Sequence, residues 1–169
     1  MGVRWKMSAK WLTKRLDCTV KGITRQGGCG GGCCKTKRYW PGMTGDGGVC
    51  PFLGFHGCAI PVGQRPVICL IYPLRLNKNG TLVAHDKAFM RGGVCRPCYN
   101  KGPYLIDALY AELAVLFGEE QTAAAYSEIL CGRDFTVDVP KWVADSLELE
   151  HRLESECRPP APRILLHSP

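Results

Sequence analysis

Between Cys29 and Cys69 the chain places six cysteines in 41 residues, as CGGGCC, then CPFLGFHGC, then RPVIC. Residues 18–48 are dense in glycine and almost without apolar periodicity, and Pro51 to Pro66 is irregular as well. Such a stretch has no hydrophobic face to bury, so something other than core packing must shape it. At 169 residues the chain is long enough to bury a core without metal or disulfides. The cysteines therefore point to a bound metal.

The chemistry follows from spacing. Cys29, Cys33 and Cys34 lie on a loop of minimal bulk, where glycines accept positive φ and tight turns. Successive N–H groups there can point inward at sulfur and stabilise the negative charge of an iron–sulfur cluster. Lys35, Lys37 and Arg38 follow and would offset thiolate charge. The second group is Cys50, Cys58 and Cys69, with Pro51, Pro61 and Pro66 stiffening the loops between them. Zinc prefers four ligands as two close pairs. Cys29 and Cys33 make one such pair, but 50, 58 and 69 are too widely spaced to make the second. A larger cube of the 4Fe–4S type accepts scattered ligands and is the first expectation, with zinc the alternative. Buried core thiols are disfavoured in a loop without an apolar frame.

These residues resemble a known family. The run GGCGGGCC…CPFLGFHGCAIPVGQRPVICLIYP looks like the cysteine-cluster, YkgJ-like family of zinc- or iron-chelating domains. The matching positions are Cys33 and Cys34, Cys50 to Leu53, Gly57 to Pro61, Arg65 to Cys69, and Tyr72-Pro73. They span about residues 27–75. The gap from Cys34 to Cys50 is short for the family, and Ala59-Ile60-Pro61 replaces its commoner Ser-Ile-Tyr. The resemblance implies ligand candidacy for these cysteines. The domain also occurs in flagellin lysine methylases, where it resembles an iron–sulfur site beside a transferase.

Charge divides the chain. Residues 1–103 carry 17 Lys and Arg against 3 Asp and Glu, and residues 104–169 carry 5 against 12. Nine of the eleven cysteines fall in the first part, leaving Cys131 and Cys157 in the second. The expected organisation is a basic metal-binding region (1–103), an acidic helical region (104–158) and a proline-rich tail (159–169), as a single unit. The basic excess fits an anionic partner such as nucleic acid. It fits equally a compensation of thiolate charge and packing against the acidic helices, which is the favoured reading.

The expected fold class is α+β and irregular: a metal-organised cysteine- and glycine-rich loop region with a short hairpin, packed against two to three C-terminal helices. Residues 3–17 read as a short basic helix. Val67–Leu76 reads as a buried extended segment, with Pro73 forbidding a central ladder position. Asn77-Lys78-Asn79-Gly80 reads as a hairpin turn into Thr81–Val83. Gly92–Gly102 reads as loop. Tyr104–Phe117 has helical apolar spacing at 105, 106, 109, 113, 116 and 117, stopped by Gly118. Glu119–Leu130 is a second expected helix capped by Gly132, Phe135–Val137 a short strand, and Pro140 to about Glu156 a third helix. The helical stripes are expected to serve as core or as a protein-partner surface.

Weaker signals surround the cluster. Cys95-Arg96-Pro97-Cys98 is a C-x-x-C that would extend ligation, and His56, two residues before Cys58, is a further ligand candidate. His85-Asp86 lacks a nucleophile or oxyanion feature to join it, so no catalytic residue is assigned and a non-catalytic role is favoured. Catalysis assisted by the cluster and nucleic-acid binding by the basic half are the other hypotheses. Eleven cysteines is an odd number. With neither a signal-type stretch nor a membrane-spanning run, the expected location is cytoplasmic, where thiols stay reduced. A leaderless virion component is the exception to that expectation.

Overall fold

The computed structural model describes residues 2–16, 50–54, 57–84 and 99–156. Their architecture is α+β, as expected, and it is built around the N-terminal segment. Residues 3–17, expected as a helix, form strand β1 (Val3–Met7), a single-turn helix α1 (Ala9–Leu12) and a two-residue strand β2 (Arg15–Leu16). The reason lies in a period of two inside the basic stretch. Trp5 and Met7 are buried while Arg4 and Lys6 alternate with them on the solvent side, which is the pleat of a half-buried strand.

Strand β1 is interior to a four-stranded sheet. Its neighbours are β6 (Thr81–Ala84), parallel, and β8 (Phe135–Val139), antiparallel; β5 (Leu74–Leu76) lies outside β6. The register Trp5↔Val137 and Met7↔Phe135 aligns apolar residues on one face, and Arg4↔Asp138 aligns opposite charges on the other. Arg4 meets Asp138 at 3.2 Å, and Lys6 meets Asp134 at 2.7 Å. The β5–β6 hairpin turns where expected. Asn77 Oδ1 accepts the N–H groups of Asn79 and Thr81, and Gly80 takes the left-handed conformation at φ +69°. Pro73 precedes β5, an edge strand, as its missing N–H requires. The residues before it differ from expectation, because Val67–Ile71 is a short helix, α2, that buries Val67, Leu70 and Ile71. An apolar run this short has no period that tells strand from helix, and Pro66 at its start favours the helix.

The helical half follows the expected stripe with one break. Leu105–Ala108 (α3) and Tyr110–Phe117 (α4) are separated at Leu109, whose φ of −106° leaves the helical range. All six expected apolar positions are buried. Gly118 ends α4 at φ +84°. Glu119–Leu130 (α5) closes with Gly132 N–H on the Ile129 carbonyl and Arg133 N–H on that of Glu128, a Schellman motif around Gly132 at φ +79°. The strand expected at 135–137 extends to Val139, and α6 runs over Lys141–Glu156. The edge of Trp5 packs against Phe117 with ring centroids 5.7 Å apart, so the sheet and α4 share one apolar layer. Part of the expected loop at 92–102 is strand β7 (Tyr99–Tyr104), paired with β2. The proline-rich tail lies outside the described residues. Among those residues no helix is long and apolar enough to cross a membrane.

Asp134 joins the N-terminal segment to the helical half. Its Oδ1 accepts the Ala9 N–H at 2.9 Å, capping α1 from 125 residues away, while its Oδ2 meets Lys6. The Lys6 ammonium first, then the Ala9 N–H, hold its carboxyl below the usual aspartate range. A depressed folded pKa contributes stability above the unfolded value, about 4, that is lost as pH falls through the folded one. Asp134→Asn is expected to lower urea stability at pH 7 by about 0.5 kcal/mol, a figure already reduced for solvent screening, and to match wild type in acid below that range. Thr122 is fully buried and its hydroxyl has no hydrogen-bond partner among the described residues. Thr122→Val is expected to raise stability by about 1 kcal/mol in the same assay.

Candidate metal centre

Of the expected ligands, Cys50, Cys58 and Cys69 lie among the described residues, and each is partly buried. Cys29, Cys33, Cys34, Cys95, Cys98 and His56 lie outside them. Cys50 opens a turn that closes with the Leu53 N–H on its carbonyl at 3.1 Å. Strands β3 (Leu53–Gly54) and β4 (Gly57–Cys58) then pair, with Leu53 opposite Cys58 and Gly54 opposite Gly57. The Ala59 N–H returns to the Phe52 carbonyl at 2.8 Å. Residues 53–54 and 57–58 therefore pair antiparallel, with Cys58 on one strand and Cys50 opening the turn before the other.

Cys69 sits on α2, a separate element. The chain reaches it from Cys58 through a 3-10 turn at Val62–Gln64 and through Arg65 and Pro66. Pro66 supplies the carbonyl that accepts the Leu70 N–H, so it begins the helix whose interior holds Cys69. Among the described residues no three His, Cys, Asp or Glu side chains converge on one point. Cys50, Cys58 and Cys69 thus do not form a metal site by themselves. The donor chemistry is compatible: partly buried thiols, held by a hairpin and a proline-started helix, suit a thiolate-bound metal.

The connection between Cys58 and Cys69 is held from the acidic half. Arg65 donates through Nε to the Ile60 carbonyl at 2.9 Å and through Nη1 to Glu112 Oε1 at 2.9 Å. Both side chains are nearly sealed from solvent, at 10% and 4% exposure. Glu112 belongs to α4. The sequence pattern gave Glu112 no role and placed Arg65 only within a motif. The signal was present, because Glu112 lies three residues after Leu109 and four before Leu116 on the buried stripe. A carboxylate there needs a cationic partner.

A second brace lies at the entrance to the other cysteine segments. Arg15 stacks 4.6 Å over the Tyr104 ring and donates to the Gly102 carbonyl, which ties β2 to β7. Leu16 pairs with Tyr99. The points where the chain departs into 17–49 and returns from 85–98 are therefore neighbours. Cys131 is exposed at the end of α5, remote in sequence from the cluster.

No family model, curated protein or solved structure matches the chain. The likeness to the cysteine-cluster family rests on the motif residues alone.

Removing one partner of a buried ion pair leaves an uncompensated charge. Arg65→Leu is expected to cost about 3 kcal/mol of folding stability, read as a lower urea midpoint at unchanged slope.

Proposed function

We propose that the protein binds a metal through cysteine thiolates, as an iron–sulfur cluster of the 4Fe–4S type, in a structural or accessory role. The observation that carries this reading is the grouping of cysteines in the sequence: Cys29, Cys33 and Cys34 framed by glycine, and Cys50, Cys58 and Cys69 framed by proline. The pairing that places Cys58 opposite Leu53 and the short helix of Cys69 support it, because Cys50, Cys58 and Cys69 are each partly buried on formed backbone structure. Six thiols exceed the four that a cube requires, which leaves two with structural duties. A bound cluster would supply folding free energy to the glycine-rich loops, since a site absent from the unfolded chain couples binding to order.

The role is read as non-catalytic. Ion pairs from Arg4, Lys6 and Arg65 to Asp138, Asp134 and Glu112 tie basic-half charge to the acidic half, which supports packing over nucleic-acid binding as the use of that charge. A reducing compartment such as the cytoplasm suits the thiols. The helical region remains the surface on which a protein partner would act.

Anaerobic purification with iron, sulfide and zinc analysis is the test. The expected product is brown, with iron and acid-labile sulfide in near-equal amounts, and Cys33→Ser and Cys58→Ser each lose most of both. Zinc without sulfide would replace the cluster by a zinc site. A folded, colourless, metal-free protein would overturn the reading.

A further inference from the structure

Arg65 bridges the ligand-bearing span from Cys58 to Cys69. Arg65 reaches back to the Ile60 carbonyl, two residues after Cys58, and stands four residues before Cys69. Its guanidinium thereby sets the distance across the intervening turn. The 3-10 turn between these points adds only Gln64 N–H to Pro61 carbonyl and Arg65 N–H to Val62 carbonyl. Neither bond orients the turn relative to the helices. Val62 packs the turn on the core, and the directional contact to the helices is Glu112, whose carboxylate takes Arg65 Nη1 at 2.9 Å on a side sealed from water. A guanidinium is planar and presents its donors in a fixed fork, so Nη1 on Glu112 and Nε on the Ile60 carbonyl constrain each other's direction. Pro61, Gly63 and Gln64 are exposed, so the polar tether of the turn falls to Arg65.

We propose that Glu112, on a helix of the acidic half, is a positioning residue for the metal site, acting through Arg65 to hold Cys58 and Cys69 at the separation the metal requires. This rests on the thiolate-ligation reading above and adds a residue to it. Glu112 contacts no metal in this account. It acts as outer-shell groups do when they orient ligands, where losing one costs metal affinity by ten- to a hundredfold. A Lys in place of Arg65 keeps the charge but offers a point donor on a flexible stem, so it cannot hold Ile60 and Glu112 in the same fixed geometry.

The experiment compares metal release into excess chromogenic chelator from anaerobically purified wild type, Glu112→Gln, Arg65→Lys and Gly132→Ala. Gln is close in shape to Glu and keeps an oxygen acceptor, which favours a folded variant. Arg65→Lys keeps both charges and provides a second route if Glu112→Gln does not accumulate. Gly132→Ala strains a left-handed position in the α5–β8 turn, outside the cysteine span, and controls for general loss of stability. Glu112→Gln is expected to release metal about tenfold faster than wild type, and Arg65→Lys several-fold faster, with far-ultraviolet circular dichroism unchanged. Gly132→Ala is expected to release at the wild-type rate. Equal rates for wild type and the two clamp variants, or equal acceleration in Gly132→Ala, would overturn the positioning role and leave metal binding intact. A wild-type protein purified without metal would instead overturn the reading on which the role depends.

Discussion

The Arg65–Glu112 ion pair is the buried polar constraint that ties the turn between Cys58 and Cys69 to α4. Removing two charges from water costs several kcal/mol per ion, and attraction offsets this only with good geometry and further hydrogen bonds. Arg65 provides such a bond by giving Nε to the Ile60 carbonyl. An apolar pair of similar volume would pack as well without the desolvation cost. What the apolar pair lacks is direction. The ion pair gives the 60–66 turn a directional contact to α4, while Val62, Val67, Leu70 and Ile71 pack that turn and α2 on the core.

The rest of the structure repeats the same division of labour. The buried face of the sheet is apolar, with Trp5, Met7, Leu74, Leu82 and Val137 inside. This face supplies the non-directional driving force. The open face carries Arg4 and Lys6 against Asp138 and Asp134, exposed pairs that contribute little to stability. Their effect is on register, because like charges opposite each other on neighbouring strands would be unfavourable. The N-terminal strand thus comes from the basic half, its antiparallel neighbour β8 from the acidic half, and the two halves share one sheet and one core.

The helical half was the more legible part. Its apolar positions recur with one period over 14 residues, and Gly118 and Gly132 mark ends that the structure places at φ +84° and +79°. The hairpin at Asn77–Gly80 was legible for a similar reason, since its turn residues bond their own backbone. The N-terminal segment was not. Five residues of alternation in β1 compete with a helical reading of the same tryptophans and leucines, and only pairing with β6 and β8 decides between them. For the candidate site, residue types and spacing singled out Cys50, Cys58 and Cys69. That Glu112 needs a cationic partner was legible from its place on the buried stripe; that the partner is Arg65, 47 residues away, was not.

The sequence by itself determined the chemical inventory: cysteines grouped between glycines and prolines, a basic half and an acidic half, and helices with one apolar stripe. These are local properties, set by residue type and short spacing. Only the tertiary structure decided that β1 enters the middle of a sheet, that Asp134 caps α1, and that Glu112 rather than solvent receives Arg65. The physical reason is common to all three. Each depends on a hydrogen bond or ion pair between residues far apart in the chain, and such a partner exists only after the apolar core has brought the segments together.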